Sequence, residues 1–161
     1  MVRQHSGKPA ALNGKTVGEM IAEEHAYVMA LRMSAAARAA DRAHRLQMNA
    51  LLSASASIAG MRDASVTIAL ALHNKTQRTI EFLDCGIEVR DARGTRLGLA
   101  EFEIHHKIAP HASVRIAVGL PYAKFGGDAV TVRNAPRKGT YIVLDVIELR
   151  YVGGSVAGAG D

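Results

Sequence analysis

The sequence predicts a mainly β protein: an immunoglobulin-like antiparallel β-sandwich of about seven strands, with an N-terminal α-helical extension. Three observations carry that expectation. Over 61–152 apolar residues alternate with a period of two, in short runs separated by turn signals every ~8–12 residues. Ahead of them, residues 15 to about 55 contain no proline and many alanines, and their apolar residues recur at helical spacing. With 161 residues, 48% hydrophobic and 22% charged, the chain can fill a real core and has the composition of a folded soluble protein rather than a disordered or membrane one.

Four zones follow from composition. Residues 1–14 are polar, broken by Gly7, Pro9 and Gly14, and read as a flexible terminus. Residues 15–60 read as the helical extension. Its start signal is Thr16 followed three residues later by Glu19, whose side chains can satisfy each other's backbone donors. Val17, Ile21, Val28, Leu31, Ala35, Ala39 and Leu46 form one apolar stripe, thin because its middle is alanine with Arg38, Asp41 and Arg42. Since a mean helix is ~11–12 residues, a break or two helices is expected here.

The third zone, 61–152, is the β domain. Strands are expected over 65–72, 79–90, 96–104, 113–120, 129–132 and 141–151. The punctuation is His73-Asn74-Lys75-Thr76, Asp91-Ala92-Arg93-Gly94, Pro110, Gly126-Gly127 and the stretch 136–139. No helical pattern lies between the strands, which favours an antiparallel sandwich over a parallel sheet. Residues 153–161 are Gly-rich, without periodicity, and read as a flexible tail.

The run Leu72-His73-Asn74-Lys75-Thr76, then Ile87-Glu88-Val89-Arg90-Asp91 with Gly94, then Ile108-Ala109-Pro110-His111-Ala112-Ser113, resembles the FxLYD-type and water-stress-type immunoglobulin-like sandwiches of bacterial envelope proteins. The resemblance covers roughly 64–122. Ile87 stands where that pattern has its first aromatic, Val89 replaces the Leu, Arg90 the Tyr and His111 the usual glycine. It implies a small binding or assembly module without catalytic residues, and a bacterial cell-envelope or periplasmic setting.

Chemistry-bearing residues are few. His105, His106 and His111 are the candidate metal ligands, for Cu or Zn, but neighbouring strand residues point to opposite faces, so His105 and His106 cannot meet one ion while that segment is extended. No metal or cofactor is therefore expected. Cys85 is the lone cysteine, beside Asp84 in a strand-like run, and reads as a buried small hydrophobe rather than a nucleophile. Asp84, Asp91 and Asp145 fall on separate elements, with Asp91 a turn residue bonding its own backbone. There is no nucleophile elbow, P-loop, dinucleotide fingerprint or HExxH, so no enzyme is predicted.

The net charge of +5 is diffuse: residues 1–60 hold seven Lys/Arg against four acids, and the rest thirteen against eleven. Arg38, Arg42 and Arg45 share a helix face and define the alternative of a nucleic-acid accessory protein, although such a trio more often marks a solvated face. With 4% aromatics and no Trp there is no stacking surface for single strands. Residues 46–60 weakly resemble a signal peptide read from Met33, the rival being an ordered helix leading into the first strand. No run reaches the ~20 apolar residues of a membrane span. The function expected is a non-catalytic assembly module that meets a protein partner or itself through Val17, Ile21, Val28 and Leu31, because a thin amphipathic helix gains little alone.

Overall fold

The computed structural model of the chain describes residues 17–157. In chain order these form α1 (Val17–Leu51), β1 (Leu52–Met61), β2 (Ser65–Asn74), β3 (Ile80–Arg90), β4 (Arg96–Ile104), β5 (Ser113–Pro121), a 3-10 segment (Tyr122–Asp128), α2 (Ala129–Arg133) and β6 (Tyr141–Tyr151). The protein is mainly β, with an N-terminal helix. Two units divide within α1, Met1–Arg42 and Ala43–Asp161. In the first, α1 is helical throughout its described part and every described side chain is exposed.

The second unit holds two antiparallel three-stranded sheets, ordered β1-β2-β5 and β4-β3-β6. Each is a hairpin plus one later strand that pairs with the hairpin's central member. The β1–β2 turn closes through Arg62 N donating to Ser65 O at 2.9 Å. In the β3–β4 turn, Gly94 takes φ 83 and Asp91 Oδ1 accepts from the Arg93 and Thr95 amides, each at 2.9 Å, as the sequence led one to expect of Asp91. Inward positions alternate as a half-buried sheet requires: Val66, Ile68, Leu70 and Leu72 from β2, Cys85, Ile87 and Val89 from β3, Ala100, Phe102 and Ile104 from β4 are buried in one cluster. Met48, Leu51 and Leu52, at the junction of α1 and β1, belong to the same cluster.

Several segments differ from the sequence expectation. There are six strands rather than about seven. Residues 52–60, read as helix, are β1: Leu52, Ala54, Ala56 and Ile58 turn towards the core while Ser53, Ser55 and Ser57 are exposed. Serine competes for backbone hydrogen bonds inside a helix, and the Ser-Ala alternation here has a period of two. Residues 129–132, read as a strand, lie in α2 because Val132 is wanted in the core, where it packs against Gly98. The expected break in α1 does not occur, since no proline or interior glycine beyond Gly18 interrupts it. In the tail, residues 153–157 are not an irregular end: Tyr151 N donates to Ser155 O and Ala157 N to Leu149 O, both at 2.9 Å, so the chain turns back along β6. Residues 1–14, Thr16 and 158–161 lie outside the described residues.

Two predictions follow from this packing. A fragment of residues 43–157 melts cooperatively, whereas 62–152 does not, because it lacks β1 and with it the nine-pair register to β2 and the fully buried Leu52; circular dichroism against temperature compares them. At Gly98 a Cβ would stand 2.5 Å from Val132 Cγ2 and 3.1 Å from Phe125 Cδ1. Gly98→Ala therefore destabilises by about 1–3 kcal/mol in urea titration, and Val132→Ala in the same chain recovers part of the loss.

Candidate functional site

The predicted ligand residues do not converge. His105 is exposed, 3.2 Å from Glu103 Oε2 and edge-on to Phe82 with ring centroids 5.0 Å apart. His106 follows it in an irregular, exposed stretch, and His111 sits on a turn at φ 58, a conformation that glycine adopts more readily. His73 bonds Ser113 Oγ at 2.8 Å and belongs to the other sheet. Among the described residues no group of three His, Cys, Asp or Glu is placed to hold a metal ion.

Cys85 is buried on the inner face of β3. Burial first, then the charges of Asp84 and Asp145, push its thiol from 9.0 up to about 12. The thiolate that a nucleophile needs is thus disfavoured. Because the folded pKa is raised, the preference for the neutral thiol is fully present below about 9 and is lost as pH climbs from there towards about 12. The prediction is that Ellman's reagent at pH 8 leaves the native protein unlabelled over hours and titrates one thiol at once in guanidinium chloride.

The arginines of α1 divide. Arg38 donates to Ser34 Oγ at 3.1 Å within the helix, while Arg45 Nε lies 3.2 Å from Asp145 Oδ2 of β6, both partners about half exposed. Beside that pair His44 Nε2 is 2.8 Å from the Ile147 carbonyl, and Met48 and Leu51 enter the core. Lys75 closes the helix end: its amide donates to Leu51 O at 2.9 Å and its Nζ to Asn49 O at 2.7 Å, occupying carbonyls that have no partner inside the helix.

This anchoring fixes which side of the helix end is in use. Leu46 follows Val28 by eighteen residues, which is five helical turns, so both stand on one line of the stripe; Ala35 and Ala39 stand in the same relation to Val17 and Ile21. Met48 and Leu51 lie on average ~170° around from Leu46. Accordingly Leu46 is 65% exposed while Met48 is 3% and Leu51 9%. Val17, Ile21 and Val28 are likewise exposed; the side chain of Leu31 lies outside the described set. Within the second unit Leu46 is thus turned away from the core, and within the first the described stripe residues are exposed.

A second feature was not legible in any single segment. Strand register brings acids of three strands into rows on the outer face of β4-β3-β6. Glu103, Asp84 and Glu148 stand directly opposite one another, and the next row is Glu101, Gly86 and Asp145. The third is Leu99, Glu88 and Val143. Of these acids the sequence singles out Asp84 and Asp145, which are far apart along the chain; the signal that joins them to the others is common parity on three paired strands. A hollow of about 270 Å³ is lined by Gly86, Leu99, Glu101, Val143, Asp145 and Ile147, and also by Arg90 and by Arg45, Met48 and Asn49 at the end of α1. A larger, open hollow of about 660 Å³ at the sheet's other end carries Arg150 paired with Glu148, His105 beside Glu103, and Glu81 and Lys107, with the Arg150 guanidinium 4.4 Å over the Phe82 ring.

No known family model matches this sequence, and a search of curated proteins finds no match. No helix among the described residues is long and apolar enough to cross a membrane.

Proposed function

We propose that the protein is a non-catalytic binding and assembly module: an immunoglobulin-like sandwich that docks through its helical extension. The observation that carries this reading is exposure of the stripe in each unit: Val17, Ile21, Val28, Ala35 and Ala39 in the first, and in the second Leu46, opposite the anchored Met48 and Leu51. An alanine-rich stripe lets a second helix approach closely, and isolated helices owe most of their stability to such packing. The sandwich part is supported by the strand order. With the chain passing between sheets after β2, β4 and β5, the strands fit the A-B-E and C′-C-F places of the immunoglobulin plan, and Ser155–Ala157 begins a return where strand G would run. The burial of Cys85, which holds its thiol neutral, is in keeping with a packing role for that residue.

The occupant available to the pure protein is a second copy of the helix. Light scattering across a concentration series therefore finds association by the full chain. Val28→Asp with Leu46→Asp weakens it at least ~10-fold, while the thermal transition of the β unit shifts by less than about 2 °C, because a charge on an association face costs binding and not the distant core. Equal association of the variant and the unsubstituted chain would exclude the helix as the contact.

A further inference from the structure

We infer that the outer face of β4-β3-β6 is a second docking surface, and that its occupant is a basic amphipathic helix of a partner protein. The inference does not rest on the stripe of α1. It begins from an imbalance: Asp84, Glu88, Glu101, Glu103, Asp145 and Glu148 are six of the chain's fifteen acids, gathered on one sheet face of a protein whose net charge is +5.

Like charges directly opposite on paired strands destabilise a sheet, so the row Glu103, Asp84, Glu148 costs the fold something in isolation. Arginines already present pair with three of the six: Arg90 with Glu88, Arg150 with Glu148 and Arg45 with Asp145, while His105 Nε2 lies 3.2 Å from Glu103 Oε2. Among the described residues the carboxylates of Asp84, on the central strand, and of Glu101 take part in none of these ion pairs. Between these acids the face is apolar rather than polar: Leu99, Val143 and Ile147 are all exposed, and Gly86 leaves the hollow between them open, meeting only Ile147 Cδ1 at 3.5 Å from where a Cβ would be.

An acidic rim around an apolar floor selects a ligand with the inverse arrangement, cations flanking an apolar line. The ligand is a helix rather than a strand because β3, at the middle of the face, spends its backbone groups on β4 and β6, so recognition is left to side chains standing off the sheet. Three rows at two-residue spacing span ~14 Å, and a helix of fourteen residues, ~21 Å, covers them. The cationic side chains of Arg90 and Arg150 close the two ends of the face and set its length.

The test uses a fluorescein-labelled fourteen-residue peptide of leucine and lysine with leucines at helical spacing, its leucine/glutamate counterpart, and an all-lysine peptide, each titrated into the full chain by fluorescence anisotropy. The leucine/lysine peptide binds at tens of micromolar and weakens about tenfold between 50 and 300 mM salt, while the other two bind at least tenfold more weakly. Asp84→Asn with Glu101→Gln lowers affinity about 3–10-fold, as does Leu99→Ser with Val143→Ser, and Asp63→Asn with Asp128→Asn, away from the face, changes nothing. No binding, equal binding of the all-lysine peptide, or equal loss in the Asp63/Asp128 variant would overturn the proposal. So would salt-sensitive self-association abolished by Asp84→Asn with Glu101→Gln, which would give the face to a second copy. Repeating the titration in the Val28→Asp, Leu46→Asp chain separates this surface from the helix stripe.

Discussion

The two sheets are held in one arrangement by the side chain of Asn74. It ends β2, has no solvent exposure, and is the one polar residue in the described core. Its Nδ2 donates towards the carbonyls of Arg78, Ile108 and Ala109 at 2.7, 3.0 and 3.1 Å, and its Oδ1 accepts from Thr76 N and Thr76 Oγ1 at 2.9 and 2.8 Å. Those partners lie in the two connections that carry the chain between sheets, from β2 to β3 and from β4 to β5. The backbone continues the bond network: Asn74 N donates to Ala112 O, and Ile80 and Ile108 exchange both of their amide bonds. An aspartate would bring no donor to these three carbonyls, and a leucine of similar volume would orphan them, the buried Ile108 carbonyl at a desolvation cost of about 1–3 kcal/mol and the part-buried Arg78 and Ala109 carbonyls at less. Where β3 begins, and hence which residues of β3 face β4 and β6, depends on this corner.

That dependence explains what could be read from the sequence and what could not. The boundaries of β4 and β6 followed from alternation alone, because one face of each strand is buried and a one-residue slip would invert every side chain. β1 was hidden by its chemistry: alanine and serine are small, so the period of two carries little contrast in hydrophobicity, and an alanine-rich helix immediately precedes it. The Val-Thr-Val of α2 has strand propensity, overridden by the place Val132 finds against Gly98. The helix stripe was visible in the sequence, but the side on which the helix is anchored was not, since Met48 and Leu51 differ from Leu46 only in what they meet. The acidic rows were invisible for a deeper reason. Register is a relation between strands, and no local pattern encodes that residues 84, 103 and 148 will stand side by side.

The outer faces of the two sheets, built from the same alternation, have opposite chemistry. On β1-β2-β5 the outward positions include Ser53, Ser55, Ser57, Ala69, Ala71, Ala117 and Gly119, with Arg115 the one residue among them bearing full charge. On β4-β3-β6 they include Asp84, Glu88, Glu101, Glu103, Asp145 and Glu148, with Leu99 and Val143 among them. Inner positions are constrained by core volume, so the outer ones are where sequence is free to differ, and the difference in charge between the faces cannot be traced to packing. Opposed like charges at the centre of a sheet are a stability cost that the fold does not require.

The anchoring of α1 shows how such surfaces coexist with a small core. Met48 and Leu51 secure the helix end to the β unit, and Lys75 occupies its last carbonyls, so the helix terminates without drawing on the stripe. Residues on the stripe can therefore be occupied or emptied without opening the core. The same separation holds at Gly86: its outer side lies over the hollow, while its neighbours Cys85 and Ile87 are turned inward and fully buried. In both places a short step, two residues along a helix or one along a strand, divides a position fixed by packing from one that faces outward. Exposed positions on these elements can therefore change without disturbing the fold, because the residues that set register and those on the surface are different residues on the same elements.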